Sequence, residues 1–116
     1  MYDHIGLRVR DVKASAAFYG RTLAALGYAA DSSGTGFGPA GEPALWLHES
    51  KAKGVGVHLA FRAASRKAVD QFHQAGLKAG GRDNGEPGVR TDYSPDYYAA
   101  FLLDPDGNNI EAVCLK

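Results

Sequence analysis

The sequence predicts an α+β fold in which two copies of a β-α-β-β-β unit pack together as one domain. Three observations predict it. The chain repeats itself, each copy opens on a period-two apolar alternation, and a capped amphipathic helix follows each alternation. The repeat emerges on a shift of 54 residues, which lays His4, Ile5, Gly6, Leu7 and Arg8 on His58, Leu59, Ala60, Phe61 and Arg62. The same shift lays Ala14, Phe18, Leu23, Ala25 and Gly27 on Ala68, Phe72, Leu77, Ala79 and Gly81. At 116 residues there is room for one domain, residues 1–116, divided into module one (1–50), a linker (51–54) and module two (55–116).

The elements follow in order. In residues 3–10, Ile5, Leu7 and Val9 alternate with His4, Gly6, Arg8 and Arg10, the pattern of a strand with one face on a core. Asp11 caps a helix over 12–26 whose apolar stripe is Val12, Ala16, Tyr19, Leu23 and Leu26. Extended segments at Tyr28–Ser32 and Ala44–His48 flank a glycine-rich hairpin around Gly34–Gly41. The second copy opens with a strand over 54–62, with Val55, Val57, Leu59 and Phe61 facing the core. Ser65 caps its helix, where Val69, Phe72 and Gly76 share a face and Leu77 sits beside it. A long loop over about 81–96 leads to a strand at Tyr97–Leu103, the turn Asp104-Pro-Asp-Gly-Asn108 and a last strand at Asn109–Leu115.

Composition excludes several classes of function. Thirteen basic and thirteen acidic residues give a formal net charge of zero, which argues against nucleic acid and against a polybasic membrane surface as partners. The 15 glycines point to many turns and short strands, not a helical bundle. A single cysteine excludes an intrachain disulfide and a cysteine-based zinc framework, and it fits a reducing compartment. With no signal-like start and no apolar span, a cytoplasmic protein without membrane contact is expected.

Several familiar motifs fail on context. Gly36-Phe-Gly-Pro-Ala-Gly41 has the letters of a dinucleotide loop but no helix behind it. The Asp104–Asn108 segment starts like a calcium loop, but its Gly comes too early and Leu115 stands where the closing Glu belongs. His4, His58 and Glu111 remain. The two histidines occupy equivalent positions of the copies on the faces opposite the apolar ones, and Glu111 shares its strand face with Val113, opposite Ile110, Ala112 and Cys114. Two imidazoles and a carboxylate suit a divalent metal with open positions, able to polarise a bound oxygen. His48, at a strand end, and His73, beside the helix stripe, are read as structural. Trp46 stands where the first copy would match Glu111, either as the wall of a cleft for a flat substrate or as a core residue.

The chain resembles the vicinal oxygen chelate superfamily, which includes glyoxalase I, extradiol dioxygenases and bleomycin-binding proteins. The resemblance lies in Asp3-His-Ile-Gly-Leu-Arg-Val9, Ser15-Ala-Ala-Phe-Tyr19, Leu26-Gly-Tyr28, Val57-His-Leu-Ala-Phe61 and Phe101-Leu-Leu-Asp-Pro-Asp-Gly-Asn-Asn-Ile-Glu111. It implies two βαβββ modules forming a curved mixed sheet, a half-open barrel around a cleft, with the helices outside. It also implies that His4, His58 and Glu111 are metal ligands and that a substrate binds through neighbouring oxygens. Trp46 departs from the carboxylate that glyoxalase I-like enzymes carry there, so the His-His-Glu set is more similar to the dioxygenase and fosfomycin-resistance branches. Dioxygenases of the family use a His or Tyr near the metal as acid/base; Tyr93, Tyr97 and Tyr98 are candidates here, with Tyr98 and Tyr93 foremost.

Loop 81–97 gathers Arg82, Asp83, Asn84, Arg90, Asp92 and Tyr93, and is read either as a lid with Arg90 on the substrate or as a solvated excursion. Arg8 and Arg62 share the histidine faces and either attract an anionic substrate or pair with carboxylates beyond the cleft. The expected function is a divalent-metal-dependent enzyme of dioxygenase, lyase or isomerase type, holding Fe(II), Mn(II), Ni(II) or Zn(II) and acting on a small oxygenated molecule. The alternatives are a metal-free module that binds or sequesters a small molecule in the same cleft and a purely structural dimerisation domain. A homodimer is expected, because paired modules of this kind leave sheet edges to cover.

Overall fold

Leu7 and Val9 are buried while Gly6 and Arg8 are exposed, so the first alternation forms the expected strand, β1 (Ile5–Val9). The computed structural model describes residues 3–51 and 56–116. Most of the expected linker (residues 52–54) and Val55 lie outside the described residues. Module one continues through α1 (Val12–Ala24), β2 (Ala29–Ala30), β3 (Gly36–Gly38) and β4 (Leu45–Glu49). Module two comprises β5 (His58–Arg62), α2 (Arg66–Lys78), β6 (Arg82–Val89), β7 (Tyr98–Leu103) and β8 (Asn109–Cys114).

Each module builds a four-stranded mixed sheet, in the orders β1-β4-β3-β2 and β5-β8-β7-β6. The opening strand pairs parallel with the closing one in both, and the other pairings are antiparallel. Register reproduces the repeat: Gly6 lies opposite Trp46, and Ala60 opposite Glu111. Trp46 is therefore the positional counterpart of Glu111, as the repeat implied. Neither sheet closes on itself, and α1 and α2 pack against each other and against one face of the sheets. The opposite, helix-free face of each sheet carries the polar positions of the alternation.

Both helices start where the sequence places them. The Asp11 carboxylate accepts from the Ala14 amide at 3.1 Å and the Ser65 hydroxyl from the Ala68 amide at 3.1 Å, each satisfying a donor the first turn leaves free. Helix α1 ends at Ala24, two residues before the expected end, and its buried stripe is turned relative to the apolar pattern. Ser15, Phe18, Tyr19, Thr22 and Leu23 are buried; Val12, Ala16 and Leu26 pack at the margin. The polar members are accommodated because each hydroxyl finds an acceptor: Ser15 donates to Asp106, Thr22 to the Phe18 carbonyl at 2.9 Å, and Tyr19 to Asp104 at 2.6 Å.

That last bond joins the modules. Asp104 is 1% exposed and also accepts from the amides of Asp106 and Asn108 and from the Asn108 side chain. Asn108 in turn accepts from the Val57 amide, and the Arg10 amide donates to Asp106 at 3.0 Å. The Asp-Pro-Asp-Gly-Asn turn, in which Gly107 takes φ +87°, thus pins the β7–β8 corner to α1 and the end of β1. Burial and the Asp104 charge drive the Tyr19 phenol far above its ordinary pKa, so it stays a donor.

One expected element is corrected. Residues 82–89 are not part of a loop but form the edge strand β6, paired antiparallel with β7 and broken by register shifts at Asp83/Gly85 and Gly85/Gly88. The segment Arg-Asp-Asn-Gly-Glu-Pro-Gly-Val offers no apolar alternation, and Pro87 is tolerated because an edge strand needs only half its ladder bonds. Only residues 90–97 connect it to β7. Among the described residues no helix is long and apolar enough to cross a membrane.

Candidate functional site

The helix-free face of the second sheet is set by strand parity. On β5, His58, Ala60 and Arg62 point away from the core; on β8, Asn109, Glu111 and Val113 do so; on β7, Ala99 and Phe101. Ala60, Glu111, Phe101 and Gly85 form one row across four strands, with Glu111 near its middle. The outer positions of that row, Ala60 and Gly85, are small.

Glu111 is 3% exposed, and both its oxygens are engaged. His58 Nε2 lies 3.1 Å from Oε2, and the Tyr97 phenol donates to Oε1 at 2.5 Å. The other His58 nitrogen, Nδ1, lies 3.1 Å from the Asn109 carbonyl, which fixes the ring's orientation. Burial, then the hydrogen bond to Glu111 and its charge, push the Tyr97 phenol up to about 12, against a smaller opposing effect of Arg62. Aromatic rings border the pair: His58 stacks on Phe101 with centroids 6.3 Å apart, and Tyr93 meets Tyr97 edge-on at 4.9 Å. The Arg90 guanidinium sits 5.5 Å above the Phe101 ring.

The expected site residues divide accordingly. His58 and Glu111 come together. His4 does not join them; it is exposed and bonded to Asp3 at 2.7 Å, and no group of three metal-ligating side chains assembles among the described residues. Tyr93 and Arg90 lie on the same face as Glu111, next to Tyr97 and Phe101 respectively. Tyr98 points the opposite way, into the helix layer, and donates to Asp70 of α2 at 2.6 Å; that bond raises its phenol pKa. Trp46 is half-buried on the helix-free face of the first sheet, its six-membered ring flat against Gly36, where a Cβ would come within 2.5 Å of it. Arg8 shares that face and lines a cleft of about 340 Å³ between β1 and the β7–β8 turn.

Of the three candidate tyrosines, Tyr97 is the one hydrogen-bonded to Glu111. Parity held the signal: Tyr98 alternates with Ala100 and Leu102, which are core residues, so its neighbour Tyr97 must face the other way, with Phe101 and Glu111. His73, read as structural, is 6% exposed and binds Asp83 of β6 at 2.8 Å; the exposed His48 closes over Gly6.

A duplicated βαβββ architecture with a His-Glu-Tyr cluster on one open sheet face defines a two-module α+β protein with its polar chemistry on the side away from the helices. The chain matches the model of the Glyoxalase/Bleomycin resistance protein/Dioxygenase superfamily over residues 2–112, and it belongs to that superfamily. A glyoxalase/bleomycin resistance protein from Albidiferax ferrireducens T118 is similar in structure (TM-score 0.77), at 30% identity over 98% of this chain and 98% of that one. A glyoxalase/bleomycin resistance protein/dioxygenase family enzyme from Burkholderia phytofirmans PsJN (TM-score 0.75, 21% identity, 98% of both chains) shares the fold. So does a glyoxalase/dioxygenase from Nostoc punctiforme, with TM-score 0.71 and 24% identity, covering 100% of this chain and 91% of that one. No curated protein matches the sequence.

Proposed function

We propose that the protein is a divalent-metal-dependent enzyme acting on a small oxygenated molecule, with His58 and Glu111 as two of the metal's ligands and His4, supplied by a second copy of the chain, as the third. The observation that carries this reading is the convergence of a His58 nitrogen and a Glu111 oxygen at 3.1 Å on an open sheet face. An imidazole nitrogen and a carboxylate oxygen fit Fe(II), Mn(II), Ni(II) or Zn(II). His58 is already oriented by the Asn109 carbonyl and Glu111 by the Tyr97 phenol, the kind of support that metal ligands need. When bound, such an ion would act as a Lewis acid on substrate oxygens, in dioxygenase-, lyase- or isomerase-type chemistry. Tyr97 holds its proton beside the carboxylate and is the nearest acid to it; Tyr93 and Phe101 present apolar surface to a substrate. His4 stands at the position equivalent to His58 on the first module, so a dimer that apposes the two unlike sheet faces would complete the set.

Metal analysis of the purified protein beside the Glu111→Ala variant tests this. Stoichiometric divalent metal in the first and its loss in the second are expected; a protein that neither carries nor takes up metal removes the enzyme reading. A second reading, a metal-free module that binds or sequesters a small molecule, has its own support: Glu111 is fully satisfied by Tyr97 and His58 without an ion.

A further inference from the structure

We propose that the helix-free face of the β5–β8 sheet selects a flat small molecule carrying an anionic group, with Arg90 as the anion's principal partner and Arg62 as a second cation on the far side of Glu111. The inference rests on the metal reading above only for where the ligand's other oxygens dock.

Arg90 is held before any ligand arrives. Its amide donates to the Tyr97 carbonyl at 2.7 Å, its Nη2 donates to the Glu86 carbonyl at 2.6 Å, and its guanidinium lies over Phe101. The edge strand makes room for it: a Cβ at Gly85 would stand 3.3 Å from Nη2, and one at Gly88 3.1 Å from Nη1. Ordering a long cationic side chain in advance lowers the entropy cost of binding, and a planar fork so placed suits a carboxylate. Among the described residues no carboxylate pairs with Arg90 or with Arg62, and the one Arg90 side-chain hydrogen bond uses Nη2 alone.

The surroundings define the rest of the ligand. Phe101, His58, Tyr97 and Tyr93 offer ring faces and edges, while Ala60, Ala99 and Gly85 keep the floor low, which suits a planar group lying across the sheet. Glu111, the acid of this face, is shielded by Tyr97 and His58. Arg62, opposite Val113 on β5, stands on the other side of Glu111 from Arg90. In a chain of zero net charge these two arginines are cations without a carboxylate partner among the described residues, set beside an aromatic floor.

The test titrates metal-free, nitrogen-15-labelled protein with benzoate and with benzamide, which share a ring and differ in charge. Benzoate is expected to shift the side-chain Nε–H signals of Arg90 and Arg62 and the Tyr97 amide, with a Kd about tenfold below that of benzamide. Arg90→Gln should bring the two ligands to within about threefold while the rest of the spectrum stays in place, and Arg90→Lys should recover part of the preference. Equal affinities, shifts confined to other faces, or no binding of either probe overturns the proposal. A parallel zinc titration of wild type and Glu111→Gln separates the two readings. Benzoate selectivity without zinc uptake removes the metal and keeps the anion site; zinc uptake without selectivity does the reverse.

Discussion

The Tyr97 phenol donates its proton to the Glu111 oxygen that faces away from His58, at 2.5 Å, so one carboxylate is gripped from two sides. The arrangement orients the carboxylate, with Oε2 beside the imidazole. Tyr97→Phe removes one donor from a buried acceptor and should cost about 1–3 kcal/mol of stability, read from urea denaturation. Loss of such an orienting bond lowers metal affinity by roughly tenfold or more. Chelator competition on the zinc-loaded variant checks this, and unchanged zinc affinity would show that Tyr97 does not position the ligand. Tyr98→Phe, on the helix side, should leave zinc affinity unaltered.

The repeat made most of this architecture legible. Histidines at matching places in the two copies implied equivalent opening strands, and the Gly6–Trp46 and Ala60–Glu111 registers bear that out. What stayed hidden was set by tertiary pairing. β6 has no alternation to read, because Asp83 turns to His73 of α2 while Gly85 and Gly88 carry no side chain and leave room for Arg90 on the open face. The buried stripe of α1 departs from the apolar pattern because Ser15 and Thr22, polar by type, are buried with Asp106 and a helix carbonyl accepting from them. Whether His4 meets His58 could not follow from the repeat, which fixes equivalence and not proximity.

Gly76 shows how tightly the helix layer is packed. A Cβ there would fall 2.2 Å from Leu102 Cδ1 and 3.1 Å from Thr22 Cγ2, and Leu102 is fully buried on β7 with nowhere to move. Helix propensity favours alanine over glycine by about 1 kcal/mol. Overpacking a rigid core costs about 1–3 kcal/mol, so steric strain should win. Gly76→Ala is expected to lower the urea midpoint; a higher midpoint would show that α1 and α2 separate without penalty.

The contact between α2 and β6 should respond to pH. His73 Nε2 donates to Asp83 at 2.8 Å and the Gly85 amide donates to the same oxygen at 3.0 Å, and these bonds hold the Asp83 carboxyl below its ordinary pKa. A carboxyl depressed in the folded state stabilises above its unfolded pKa of about 3.9, and the contribution fades as pH falls through the lower folded value. Asp83→Asn should therefore unfold more easily than wild type at pH about 6, with the gap closing towards pH about 3. Parallel urea titrations at both pH values measure it. A gap that persists unchanged into acid would assign the effect to shape and not to charge.

A shared metal site predicts complementation between two inactive chains. If His4 of one copy completes the His58–Glu111 pair of another, each site of a homodimer draws on unlike modules, and His4→Ala and Glu111→Ala damage different halves of the same site. Homodimers of either variant then have no intact site. A mixed dimer places both lesions in one site and leaves the other whole. Co-refolding the two variants in equal amounts should therefore restore roughly a quarter of wild-type zinc uptake, since about half of the dimers are mixed and each holds one intact site of two. Competition against a chelator chosen to strip two-ligand sites measures it. A site assembled within one chain gives no recovery on mixing, and zinc retained by His4→Ala alone removes His4 from the ligand set altogether.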